Sequence, residues 1–169
     1  MKRELTTDLE KIKYWGKKNR DRNFEFRSFL KFTERDDIDD IVHRLDREIK
    51  KQIDCKTCGN CCIEQSPLLT KKDVSRISEY VGLSEHEFIE NYIDASDQDE
   101  LVFAKRPCKF LADRKCTIYA IRPNDCVSYP HTQKKQFTSR LLGVIQNYSV
   151  CPIVFNLVEQ LKLELNFRR

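Results

Sequence analysis

Apolar residues recur at helical spacing along much of the chain, and four segments stand out by that period. Ile38, Ile41, Val42, Leu45, Ile49 and Ile53 fall on one face and predict a helix that runs into a cluster of cysteines. Val74, Ile77 and Tyr80 make a second stripe. Thr70 precedes it, with Asp73 in the acidic position of a capping box, and Gly82 stands where a left-handed cap would end the helix. Ser84 with Glu87 repeats the box ahead of Phe88, Ile89 and Tyr92, so a second short helix follows after a tight turn. Val154, Leu157, Val158, Leu161 and Leu165 define a final helix. Pro152 suits its first position, where a missing N–H leaves no helical bond unmade. From about Thr7 to Glu34 the pattern predicts a long charged helix with an uneven apolar face, weakened at Gly16 and in the polar stretch from Asn19.

The remainder lacks this period. Asp94 to Glu100 is acidic and polar and predicts a loop, followed by a strand at Leu101–Lys105. Cys108 to Tyr119 predicts two short strands joined by a polar turn from Ala112 to Lys115. Pro123 and Pro130 bracket Cys126 and confine it to a turn or a single helical turn. Gln133 to Gln146 predicts a helix or a mixed element. The fold class is therefore mostly α with a small β-hairpin: an N-terminal helical region, 1–53, and a cysteine-rich, metal-organised domain, 54–169.

Composition adds three constraints. With 40% hydrophobic and 34% charged residues in 169, the core must be lean. The start, MKRELTTDLEKIKYWGKK, has no apolar run behind its basic residues, and no stretch reaches bilayer-crossing length, so a cytoplasmic protein is expected. In a reducing compartment, clustered thiols point to metal binding or redox chemistry rather than disulfides. The net charge of +4 says little, but Lys11 to Lys31 holds eight Lys or Arg against Asp21 and Glu25, with Tyr14, Trp15, Phe24, Phe26 and Phe29 among them. That segment reads either as a surface for nucleic acid or an acidic protein, or as a solvated helix whose aromatic residues pack inward. The second reading is preferred, because no recognised nucleic-acid motif accompanies the charge.

All eight cysteines lie between Cys55 and Cys151. Cys55, Cys58 and Cys61 form a C-x2-C-x2-C run, and such spacing lets a tight turn bring sulfurs onto one centre in zinc and iron–sulfur sites. Gly59 and Asn60 suit the left-handed backbone of such a turn. Adjacent Cys61 and Cys62 are expected to point apart and to serve different roles. Cys108, Cys116, Cys126 and Cys151 make a distal group, with the first two flanking the expected hairpin. Lys105 to Arg122 carries six Lys or Arg and one acid, Asp113, and such cations would lower thiol pKa values and favour the metal-binding thiolate.

CKTCGNCC, followed by CKFLADRKCTIYAIRPNDCVSYP, resembles the CxxCxxCC family of zinc- or iron-chelating proteins, the YkgJ-like cysteine cluster proteins. The resemblance includes Leu111, Ile118, Tyr119, Arg122, Pro123 and Pro130, and the LTKKDVSRISEYVGL helix between the two cysteine groups. It covers roughly Asp54 to Pro152. It implies a chelated metal and leaves zinc or iron open. One branch, of much longer proteins, contains flagellin lysine methylases that use S-adenosylmethionine. No glycine-rich loop for adenosine or phosphate is found here, so that activity is not carried over.

Three functional readings follow. The first is a metal-binding protein whose ligands are Cys55, Cys58, Cys61, Cys62, Cys108, Cys116, Cys126 and Cys151. Zinc is preferred, since eight thiols could close two tetrahedral sites, and [4Fe–4S] is the competitor, since the run and the Cys151–Pro152 pair echo ferredoxin-type ligation. The second is a modifying enzyme dependent on S-adenosylmethionine or an iron–sulfur centre, related to those methylases, with Cys62 a candidate unligated thiol. The third is a nucleic-acid or protein adaptor acting through Lys11–Lys31 with a structural metal. His43 and His86 read as solvated. His131 is the one histidine placed to add a ligand or carry a proton. Tyr119 and Arg122 read either as packing and turn-bonding residues or as hydrogen-bonding partners near the sulfurs.

Overall fold

A computed structural model describes residues 4–94 and 100–167. The acidic loop expected at Asp94–Glu100 falls largely on residues 95–99, outside the described residues. The chain forms two compact units, Met1–Asp54 with Pro130–Arg169, and Cys55–Tyr129.

The first unit is helical. The N-terminal segment is two helices, α1 (Leu9–Lys18) and α2 (Arg20–Phe32), which break at Asn19 as the polar stretch there suggested. α3 (Ile38–Lys50) buries Ile38, Ile41, Val42, Leu45 and Ile49, the stripe read from the sequence. Residues 130–169 cluster with these helices. In the second unit follow β1 (Leu68–Leu69), α4 (Asn60–Glu64) ahead of it, α5 (Lys71–Val81), α6 (Glu85–Tyr92), β2 (Ile93–Asp94), β3 (Leu101–Phe103), the hairpin β4 (Leu111–Ala112) and β5 (Lys115–Cys116), and α7 (Asn124–Ser128). The first unit then resumes with a 3-10 turn at Phe137–Arg140, α8 (Leu141–Asn147) and α9 (Pro152–Glu164). Gln133–Gln146 is thus a mixed element.

α9 packs against α1, α3 and α8. It is buried on more than one stripe: Ile153, Phe155, Asn156, Gln160 and Lys162 are inside along with Val154, Leu157, Val158 and Leu161. The buried polar groups of α9 are matched. Asn156 exchanges hydrogen bonds with the backbone of Thr6, accepting at 3.0 Å and donating at 2.8 Å. The Lys162 ammonium donates to Asn23 Oδ1 at 2.6 Å and to Glu159 Oε1 at 2.8 Å, and the Tyr148 hydroxyl donates to the same Glu159 oxygen at 2.8 Å.

The second unit has its own core of Leu69, Val74, Ile77, Phe88, Ile93, Phe103, Phe110 and Ile118. Tyr92 stacks on Phe88 and Phe110 with centroids 5.0 and 5.1 Å away. β3 lies between β1 and β2, antiparallel to both, with Leu69 opposite Leu101 and Ile93 opposite Phe103. Both capping boxes, Thr70 with Asp73 and Ser84 with Glu87, are formed, and Gly82 ends α5 in the left-handed region. Among the described residues no helix is long and apolar enough to cross a membrane.

Candidate metal centre

Seven of the eight cysteines belong to the Cys55–Tyr129 unit. Their placement begins with a tight turn. Cys55–Thr57 forms one 3-10 turn, in which Cys58 N–H donates to Cys55 C=O at 3.3 Å. Gly59 follows at φ 62 and reverses the chain into α4, which carries Cys61 and Cys62. Only glycine fits there, because a Cβ on Gly59 would lie 2.6 Å from the carbonyl oxygen of Arg114. The cysteine run therefore lies directly on the β4–β5 turn.

That turn is a two-residue hairpin with Asp113 and Arg114 at φ 48 and 60, matching the right-handed twist of the paired strands. The Arg114 guanidinium donates back to Cys58 C=O at 3.1 Å, and the Cys108 N–H donates to Cys62 C=O at 2.8 Å. Hairpin register puts Cys116 opposite Leu111, whose N–H bonds Cys108 C=O at 3.0 Å. These main-chain bonds tie three cysteine-bearing segments together.

Cys126 comes from α7. Its position is set by Asp73, which is fully buried and accepts from Thr70, from the Arg76 guanidinium at 2.7 Å and from the Asn124 N–H at 3.1 Å. Arg76 also donates to Arg122 C=O at 3.0 Å. Burial alone would raise the Asp73 pKa, but the donors from Thr70, Arg76 and Asn124 outweigh it and hold the carboxyl below its ordinary value. Arg122 covers the Tyr119 ring, its guanidinium carbon 3.7 Å from the centroid, and donates to the Tyr119 carbonyl. Tyr119 and Arg122 thus pack and bond the turn, the first of the alternatives set out for them, and Arg122 also acts electrostatically on Cys116.

The thiols act on one another. Burial pushes Cys108 up to about 11 and Cys126 up to about 12, and it raises Cys116; in each case a negative charge at Cys62 adds to the shift. The expected lowering by surrounding cations is thus reversed for these three. Removal of the sulfurs from water dominates, and Arg122 only offsets part of it at Cys116. Cys62 goes the other way, lowered to about 7 by a hydrogen bond from the Cys61 side chain. Cys61 and Cys62 therefore meet rather than diverge. Neighbours on a helix start about 100° apart, but two short side chains on α-carbons about 3.8 Å apart can still lean together.

All eight cysteines are unbridged. Cys55 is exposed; Cys58, Cys61, Cys62, Cys108, Cys116 and Cys126 are partly buried. Cys151 is buried in the helical unit at the N-cap of α9, where its C=O accepts from Phe155 N–H at 2.9 Å. His131 also belongs to that unit, at φ 63, with its carbonyl accepting from Arg140 at 2.8 Å. His86 is exposed, 3.8 Å from Glu90. His43 departs from expectation: it is half-buried on α3, and its Nε2 is inside without a hydrogen bond. Among the described residues, no three His, Cys, Asp or Glu side chains stand in a finished metal-ligating arrangement. The donor chemistry nevertheless fits a soft metal: Cys62, Cys108, Cys116 and Cys126 are four thiols gathered within electrostatic reach in one unit.

A family model, CxxCxxCC, described as "Putative zinc- or iron-chelating domain", matches residues 54–142. An uncharacterized protein of Methanocaldococcus jannaschii is 33% identical over 82 residues, which make up 46% of this chain and 44% of that relative. The chain thus spans less than half the length of that relative. No solved structure matches it significantly.

Proposed function

The chain belongs to the CxxCxxCC family of zinc- or iron-chelating domains, and from that membership we propose that it is a zinc-binding protein with one closed thiolate site built from Cys62, Cys108, Cys116 and Cys126. The observation that carries the reading is the set of main-chain bonds that tie these segments together: Cys108 N–H to Cys62 C=O at 2.8 Å, and Leu111, paired with Cys116 in the hairpin, to Cys108 C=O at 3.0 Å. Four thiolates suit tetrahedral zinc, which is redox-inert and acts in such sites by tying segments together. The unit has need of such a tie. Its core is small, four of its strands are two residues long, and α4 and α7 have five residues each. Cys61 then serves as a hydrogen-bonding neighbour of Cys62. Cys55 and Cys58 shape the turn that bears on the hairpin.

Iron–sulfur ligation through the C-x2-C-x2-C run is the competing reading, favoured by spacing alone. Anaerobic purification, elemental analysis and a visible spectrum separate the two. The expected result is a colourless protein with one zinc per chain, with Cys126→Ser losing that zinc. A brown protein holding iron and sulfide at about four each per chain would overturn the zinc assignment.

A further inference from the structure

The basic N-terminal segment packs inward less than the sequence suggested. Ile12, Phe26 and Leu30 are buried, but Tyr14 is 56% exposed and Phe32 86%, and Phe24 and Phe29 are also at the surface. Lys13, Lys17, Lys18 and Arg20 are exposed as well, and among the described residues none of them forms an ion pair. Lys18 lies 4.9 Å from the Trp15 ring and 5.8 Å from the Tyr14 ring, and those two rings meet edge to face at 5.4 Å. Beside this face runs a cleft of about 340 Å³ within the helical unit. Lys17 and Arg20 line it, and Phe24, Leu142 and Ile145 supply apolar surface. Close approach of α1 to the end of α8 forms one end: a Cβ on Gly16 would fall 2.3 Å from Ser149 Cβ.

Uncompensated cations beside exposed aromatic rings and a small apolar cleft match the chemistry of a single-stranded nucleic acid, whose phosphates pair with the charge and whose bases stack. An acidic protein segment would use the cations but has no need of the Tyr14 ring. We propose that the α1–α2 face and the Lys17–Arg20 cleft bind single-stranded nucleic acid, with Tyr14 as a stacking platform. This site lies in the helical unit and stands independently of the metal.

The test is fluorescence anisotropy on the full chain as purified. The probes are labelled oligouridylate and oligothymidylate of about twelve nucleotides, and a labelled polyglutamate. If three to five phosphates are contacted, log K should fall against log salt with a slope of about −2 to −3.5 between about 50 and 200 mM. Lys17→Glu with Arg20→Glu should weaken binding about tenfold or more and flatten that slope. Tyr14→Ala should weaken it about tenfold and leave the slope unchanged. All three positions are exposed, and melting curves check that the variants fold. A preference between the two oligomers identifies RNA or DNA as the ligand. The proposal is overturned if neither oligomer binds at the lowest salt, or if polyglutamate binds as tightly and Tyr14→Ala has no effect.

Discussion

Gly59→Ala tests whether the cysteine run is held against the hairpin. A side chain at φ 62 costs about 1–2 kcal/mol in the left-handed region. The new Cβ would also sit 2.6 Å from Arg114 O, 3.0 Å from its carbonyl carbon and 3.1 Å from its Cα. These are backbone atoms of a two-residue turn already at φ 48 and 60, so they have little room to move. Forced overpacking of this kind adds about 1–3 kcal/mol. The total is about 2–5 kcal/mol. Gly82→Ala is the internal control: φ there is 73, but nothing lies within 4 Å of the added Cβ, so only the conformational cost of about 1–2 kcal/mol applies. Urea unfolding of both variants, followed by circular dichroism, gives the difference, and a zinc competition titration should show weakened binding for Gly59→Ala alone. Equal destabilisation by the two substitutions would refute the close approach on which the site is built.

Three further outcomes follow from the same structure. Asp73→Asn should destabilise by about 1–3 kcal/mol at neutral pH. Because the folded carboxyl titrates below its ordinary value of 3.8, the wild-type contribution is complete above that value and is lost as pH falls below about 4, so the two proteins should converge in acid melts. Zinc uptake at pH 7–8 should release about three protons per ion, from Cys108, Cys116 and Cys126, and weaken steeply as pH falls; a pH-independent affinity measured by calorimetry in two buffers would contradict the ligand set. Glu159→Gln should cost about 1–3 kcal/mol in thermal or urea unfolding, because it removes the carboxylate charge from the buried Lys162 ammonium while leaving its bond to Asn23, and Lys162→Met should cost a comparable amount or less.

The long helices were legible because each carries enough residues to display a period. α3 shows its stripe in the sequence, α5 and α6 show stripes and caps, and the hairpin declared itself through its polar turn. β1 and β2, two residues each, show no period and depend on pairing with β3 from elsewhere in the chain. α9 was half legible. Its apolar stripe was visible, but the burial of Asn156, Gln160 and Lys162 rests on partners such as Thr6 and Asn23, more than a hundred residues away. At the candidate site the cysteines themselves were plain. What lay hidden was how they associate: the Cys108–Cys62 bond joins distant segments, and the rise in thiol pKa comes from burial, which local charge patterns do not reveal.

The helical unit is split in sequence, with the cysteine unit inserted between its two parts. This fixes an order on the ribosome. Cys55–Tyr129 is synthesised whole, with all seven of its thiols, before any of Pro130–Arg169 exists. At about 5–20 residues per second, the forty residues Pro130–Arg169 take about 2–8 s more. Over that interval α1–α3 wait with their apolar faces open for Ile153, Leu157 and Leu161 of α9. Substitutions in α9 therefore weaken the packing that closes α1–α3, without altering any cysteine of the inserted unit.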